Sequence, residues 1–175
     1  MLGHYSAVRL SEASGTVVYT RGPLRLPIIA IPTVAGDVVV IDPEPRRVMG
    51  DPKLGLMIES VDLKNSYTTA CRHGWSVAGR YGGVIVPMIA HTARWHHDEL
   101  VGACARGARS ATIRLAYEET NFSLSENGES AKFAKYSGRS GDYFVVDRPF
   151  LVTIVRPGVQ LPIMAGWYDA SCWLR

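Results

Sequence analysis

Along the last third of the chain, apolar and polar side chains alternate, or run in short blocks between turn residues, and this pattern predicts β-hairpins. Asn127–Gly128 suits a type I′ turn, which needs positive φ at both central residues. A two-residue loop there would pair Leu124 with Ala131 and Phe122 with Phe133. Those four share one face, while Ser123, Ser125, Ser130 and Lys132 share the other. Ala111, Ile113, Leu115 and Tyr117 alternate with Thr112, Arg114, Ala116 and Glu118, a period of two. Phe144–Val146 and Phe150–Val155 are apolar at nearly every position, as strands buried on both faces are, or strands covered by a neighbouring chain. Pro157–Gly158 supplies a further turn before Gln160–Met164, with the residue order of a type II turn and room for a longer loop.

The rest of the chain continues the theme. Candidate strands are His4–Leu10, Thr16–Thr20, Leu24–Ile31, Val38–Ile41, Leu56–Val61, Tyr67–Cys71 and Val84–Ile89. Pro23, Pro27 and Pro32 confine the third of these to an edge or an irregular path, because proline cannot donate to a ladder. One segment looks helical: His97 or Asp98 could cap a short helix near 98–106, weakened by Gly102 and ended by Gly107. The expected class is all-β, an antiparallel β-sandwich of jelly-roll type with one short helix. A length of 175 residues suits a single β-rich domain spanning the whole chain.

Composition adds less. A net charge of +3 is too small to imply an acidic partner. Arginine far outnumbers lysine, which occurs only at Lys53, Lys64, Lys132 and Lys135; Arg is favoured at protein interfaces, and GC-rich coding favours it too. Cys71, Cys104 and Cys172 lie far apart with no CxxC pair, so no zinc ribbon or thioredoxin-like site is available. Cys71 and Cys104 read as buried thiols. No signal peptide and no apolar run of about 20 residues is visible, so the expected location is a virion or the cytoplasm.

The densest ionisable group is His91, His96, His97, Asp98 and Glu99. Adjacent histidines point to opposite faces of a strand, and no histidine follows Glu99, so the spacing does not build a metal site. There is no Gly-x-Ser-x-Gly elbow and no phosphate-binding loop, and the basic-aromatic run Arg72–Trp75–Arg80–Tyr81 is thin for nucleic acid. No cofactor, no metal, no direct nucleic-acid contact and no enzymatic activity are expected.

Glu126-Asn127-Gly128-Glu129-Ser130-Ala131, then Phe144-Val145-Val146-Asp147-Arg148-Pro149-Phe150-Leu151, then Met164-Ala165-Gly166, resembles the C-terminal part of serpins. There a Glu-x-Gly-x-Glu-Ala hinge precedes the reactive loop, and an Asp-His/Arg-Pro-Phe-Leu strand follows it. A serpin needs roughly twice this length. Its hinge must also be small enough to slide into a sheet. Lys132, Phe133, Lys135 and Tyr136 are bulky or charged, so the resemblance does not imply inhibition by loop insertion.

Two functions follow as expectations. The first is a non-enzymatic structural protein that self-assembles, alone or with other structural proteins, as a viral or phage capsid subunit. The second is a monomeric protein-binding module, including a non-inhibitory serpin-like fragment. Interface candidates are Glu126, Asn127, Gly128, Glu129, Arg139, Arg148 and the near-terminal Trp173.

Overall fold

Two strands rich in β-branched residues set the centre of the fold, Val38–Asp42 (β4) and Phe150–Val155 (β10), paired antiparallel from Leu151 opposite Asp42 to Val155 opposite Val38. The computed structural model describes residues 5–11, 14–20, 25–45, 52–73, 81–104, 111–125, 131–132 and 143–175. The remaining strands are β1 (Ser6–Ser11), β2 (Val17–Tyr19), β3 (Ile28–Pro32), β5 (Gly83–Pro87), β6 (Ile89–His96), β7 (Tyr117–Leu124), β8 (Ala131–Lys132), β9 (Tyr143–Val145) and β11 (Met164–Tyr168). Among the described residues they form a five-stranded sheet in the order β11-β10-β4-β3-β2, a four-stranded sheet β8-β1-β5-β9, and a two-stranded ribbon β6-β7.

β10 explains why its sequence carries apolar residues on both parities. Phe150 and Val152 join Ile29, Ile41, Val84, Val86 and Val146 in the core between the two larger sheets. Leu151 and Val155 join Ile28, Val40 and Leu63 beneath a helix, α1 (Pro52–His73). Both faces are therefore covered within the chain. Phe150, Leu151 and Val152 are fully buried.

Helix α1 is the main departure from expectation, since two strands were expected inside it. Its buried positions, Ser60, Leu63 and Ala70, follow a helical spacing, with Leu56 and Tyr67 packed beside them. Leu54, Met57 and Ile58 are apolar too, yet exposed on another face. Apolar residues thus surround the first turns and blur the one-sided period that marks a helix. Of the helix expected near 98–106, the described residues 98–104 form a 3-10 turn, Asp98–Leu100, and nothing longer. Gly102, at φ 90°, reverses the chain, so that its N–H donates to the Ile113 carbonyl.

The β-rich class is as expected. The antiparallel jelly roll is not what the sheets form, because β5 and β9 pair in parallel. Ser6 N–H donates to the Leu174 carbonyl, Leu174 N–H to Met88, and Met88 N–H to Ser6, each at 2.8–2.9 Å, fastening both ends of the described chain to the start of β6. Among the described residues, no helix is long and apolar enough to cross a membrane.

Candidate functional site: the β6–β7 ribbon

Eight residues of β6 face eight of β7, from Ile89 opposite Leu124 to His96 opposite Tyr117. One end of the ribbon is anchored in the core. Ile89 is fully buried, and the Tyr168 ring lies 5.2 Å from Phe122, 5.7 Å from His91 and 6.2 Å from Phe150. Burial raises the Tyr168 hydroxyl pKa to about 12, with Cys172 adding to the shift. Gly166 makes room for this ring: a Cβ there would come within 2.7 Å of its edge. The far end projects into solvent, with Trp95, Tyr117, Leu115, Leu100 and Val101 all exposed.

Cross-strand side chains lock the register on one face. Thr92 Oγ1 donates to Asn121 Oδ1 at 2.7 Å, and Arg94 Nε donates to Glu119 Oε2 at 3.0 Å. Asn121 Nδ2 also donates to Glu119 Oε1, at 3.2 Å. The Arg94 guanidinium, aided by Asn121, holds the Glu119 carboxyl below its usual range. Arg94 also sits 5.2 Å over the Tyr117 ring. On the other face lie Trp95 and Glu118, with His97 just beyond the strand end. Among the described residues no further strand pairs with either edge, apart from a single bridge between Ile89 and Trp173.

The hairpin expected across Asn127–Gly128 is replaced. Leu124 lies opposite Ile89 and Phe122 opposite His91, whereas Ala131 lies opposite Ala7 of β1. A turn signal fixes where a chain reverses only if the flanking segments find no better partners. Here β7 gains a far longer ladder with β6. Glu126, Asn127, Gly128, Glu129 and Arg139 lie outside the described residues. Arg148 is exposed and pairs with its neighbour Asp147 at 3.3 Å. Trp173 corrects the interface assignment: it is 8% exposed, its ring 4.7 Å from Tyr5. It keeps the terminus in place by packing inside the chain. Trp167, by contrast, is 40% exposed.

The histidines do not converge. His91 meets the Tyr168 ring edge-to-face, and His96 lies 6.4 Å from Tyr117. His97 contacts Glu99 at 3.1 Å and Glu118 at 3.7 Å. Among the described residues, no three His, Cys, Asp or Glu side chains gather to hold a metal. Cys71 and Cys104 are exposed rather than buried, with the Tyr19 hydroxyl 3.7 Å from the Cys71 sulfur. A concavity of about 420 Å³ lies between α1 and the five-stranded sheet, bordered by Arg25, Asp42, Asp62, Asn65 and Thr69.

Searches of protein-family models and of curated proteins return no match. Among solved structures, the chain is similar to native protease nexin-1 with heparin, at 15% identity over 97% of this chain and 46% of that one, TM-score 0.49. It is similar to thyroxine-binding globulin in complex with thyroxine, at 12% identity over 95% and 44%, TM-score 0.48. Serpin48 of the insect Tenebrio molitor matches at 13% identity over 94% and 43%, TM-score 0.38. The chain spans less than half the length of these structures. The expected viral or phage capsid subunit is corrected here: the similar structures are of protease nexin-1, thyroxine-binding globulin and an insect serpin, none of them a capsid protein. The apolar β10 that suggested assembly is covered by the chain's own core and helix.

Proposed function

We propose that this chain is a serpin-like protein-binding module that captures an extended polypeptide segment by strand addition along the open edge of β7. The observation that carries the reading is an eight-residue strand that, among the described residues, pairs on one side only, in a ribbon of two strands. A lone two-stranded ribbon is marginal in water and gains most from a third strand. Unpaired N–H and C=O groups along an edge are a template for pairing with another chain.

Edge strands that avoid partners carry proline, lysine or a bulge. β7 has no proline and no lysine, and its ladder with β6 runs without a bulge. Glu118 and Glu119 give the edge an acidic character, suited to a basic segment with apolar residues at alternate positions. Phe122 and Leu124, partly buried at the anchored end, offer apolar neighbours for such residues. The bulk and charge of Lys132, Phe133, Lys135 and Tyr136 favour capture over protease inhibition.

The test is calorimetric titration with an octapeptide of alternating lysine and valine, beside the same peptide N-methylated at every second amide. Binding of the first, with at least about tenfold weaker binding of the second, is expected, because backbone donors carry most of the affinity in strand addition. Equal binding of both peptides, or of neither, overturns the reading.

A further inference from the structure

His97 sits where the ribbon gives way to the Asp98–Leu100 turn, between two carboxylates on opposite sides of its ring. Nδ1 lies 3.1 Å from Glu99 Oε1 on the turn, and Nε2 lies 3.7 Å from Glu118 Oε2 on β7. A neutral imidazole carries one N–H and one lone pair, whereas a carboxylate only accepts. A neutral ring therefore satisfies one of the two and presents a lone pair to the other. Only the imidazolium attracts both.

We propose that His97 is the pivot of a pH-dependent clasp: protonated, it ties the Asp98–Leu100 turn to Glu118 of β7, and deprotonated, it releases one side. The proton comes from solvent and no bond other than N–H is made or broken. The backbone holds the pivot in either state, since His97 N–H donates to the Ala116 carbonyl at 2.9 Å. The charged groups around the ring are Glu99 and Asp98 on the turn, Glu118 on β7, and Arg94 and His96 on β6. Arg94 is committed to Glu119 on the other face. Lys53 of α1 acts on Glu99. The Glu99 carboxyl is held below its usual range by its own backbone N–H, then by His97 and Lys53, so it stays ionised when the ring gains its proton.

Gain of the ring proton closes the clasp; loss of that proton, or neutralisation of the two carboxylates in acid, reopens it. It governs how firmly the exposed far end, with Leu100, Val101 and Leu115, is held to β7. Its bearing on partner capture rests on the strand-addition reading; the clasp itself needs no partner.

The experiment is amide hydrogen exchange on the free chain at pH 5.5 and pH 8, corrected for the intrinsic pH dependence of exchange. Amides of residues 98–103 and 116–119 are expected to exchange about threefold to fivefold more slowly at the lower pH, the effect of a partly exposed ion pair. His97→Gln and Glu118→Gln should each flatten that ratio while keeping the wild-type far-ultraviolet circular dichroism. A flat ratio in the wild type, or one that survives His97→Gln, overturns the proposal. Should the peptide titration fail while this ratio behaves as described, strand capture falls and the clasp stands.

Discussion

Leu124 lies opposite Ile89, not opposite Ala131, and this pairing turns a presumed surface hairpin into a long ribbon anchored at one end in the core. Paired antiparallel positions bring Cα atoms within the range of a disulfide. With Cys71, Cys104 and Cys172 replaced by serine, Ala90→Cys with Ser123→Cys is expected to cross-link under mild oxidation. Ser123→Cys with Lys132→Cys, the pair an Asn127–Gly128 hairpin would align, is expected not to. Mass spectrometry of the digested protein distinguishes the two.

The Tyr168 ring is the bolt between ribbon and core. Gly166→Ala places a Cβ against that ring and should destabilise the chain by about 1–3 kcal/mol, the usual cost of overpacking. Tyr168→Ala should cost about 3–5 kcal/mol, as large-to-small changes of buried aromatics do. Denaturant melts give both values, and ribbon amides should lose protection first.

Tyr168 also sets an alkaline limit. Its folded pKa, raised by burial to about 12, lies above the ordinary value of 10. A raised pKa means that the neutral phenol is favoured by folding. Its contribution is thus complete below about pH 10 and is lost as pH climbs toward 12. Ultraviolet titration should show several tyrosines ionising late or only on unfolding, since burial also raises Tyr5, Tyr19 and Tyr67, and Tyr168→Phe should lower the amplitude of that late step by one tyrosine.

At the other extreme, Arg156 Nε and Nη2 donate to the two Asp37 carboxylate oxygens at 2.8 and 2.9 Å, joining the end of β10 to the turn before β4. The hydrogen bond from Arg156 holds the Asp37 pKa below its usual value. A depressed carboxyl stabilises above its unfolded pKa and ceases to do so as pH falls through the folded one. Thermal melts of Asp37→Asn should therefore fall below wild type at pH 7, and the difference should shrink as the pH falls below the ordinary carboxylate range.

Much of the β framework was legible in the chain. Phe150–Val155 matches β10 to the residue, Val38–Ile41 falls within β4, and Val84–Ile89 covers most of β5 but runs past Met88 into the first residue of β6, because β-branched runs with coverage on both faces leave an uninterrupted apolar signal. The loop after Pro157–Gly158 is longer than a hairpin turn. Gly158 has φ 80°, and Lys64 Nζ donates to the Val159 carbonyl, holding the loop to α1. Helix α1 was hidden by its exposed Leu54, Met57 and Ile58, which imitate a buried strand. The ribbon was hidden for another reason. Its partner strands are separated by residues 97–116, and nothing local to Phe122 or Leu124 says that Ile89 and His91 will be their partners rather than Ala131.

The open edge of β7 is tested most directly by residue-resolved hydrogen exchange of Tyr117–Leu124, with and without the alternating lysine–valine octapeptide. Strand addition predicts that alternate amides of β7, those pointing away from β6, become protected on binding while the amides already paired with β6 change little. Protection that appears elsewhere, on β11 for example, or no change along β7 at saturating peptide, would contradict it.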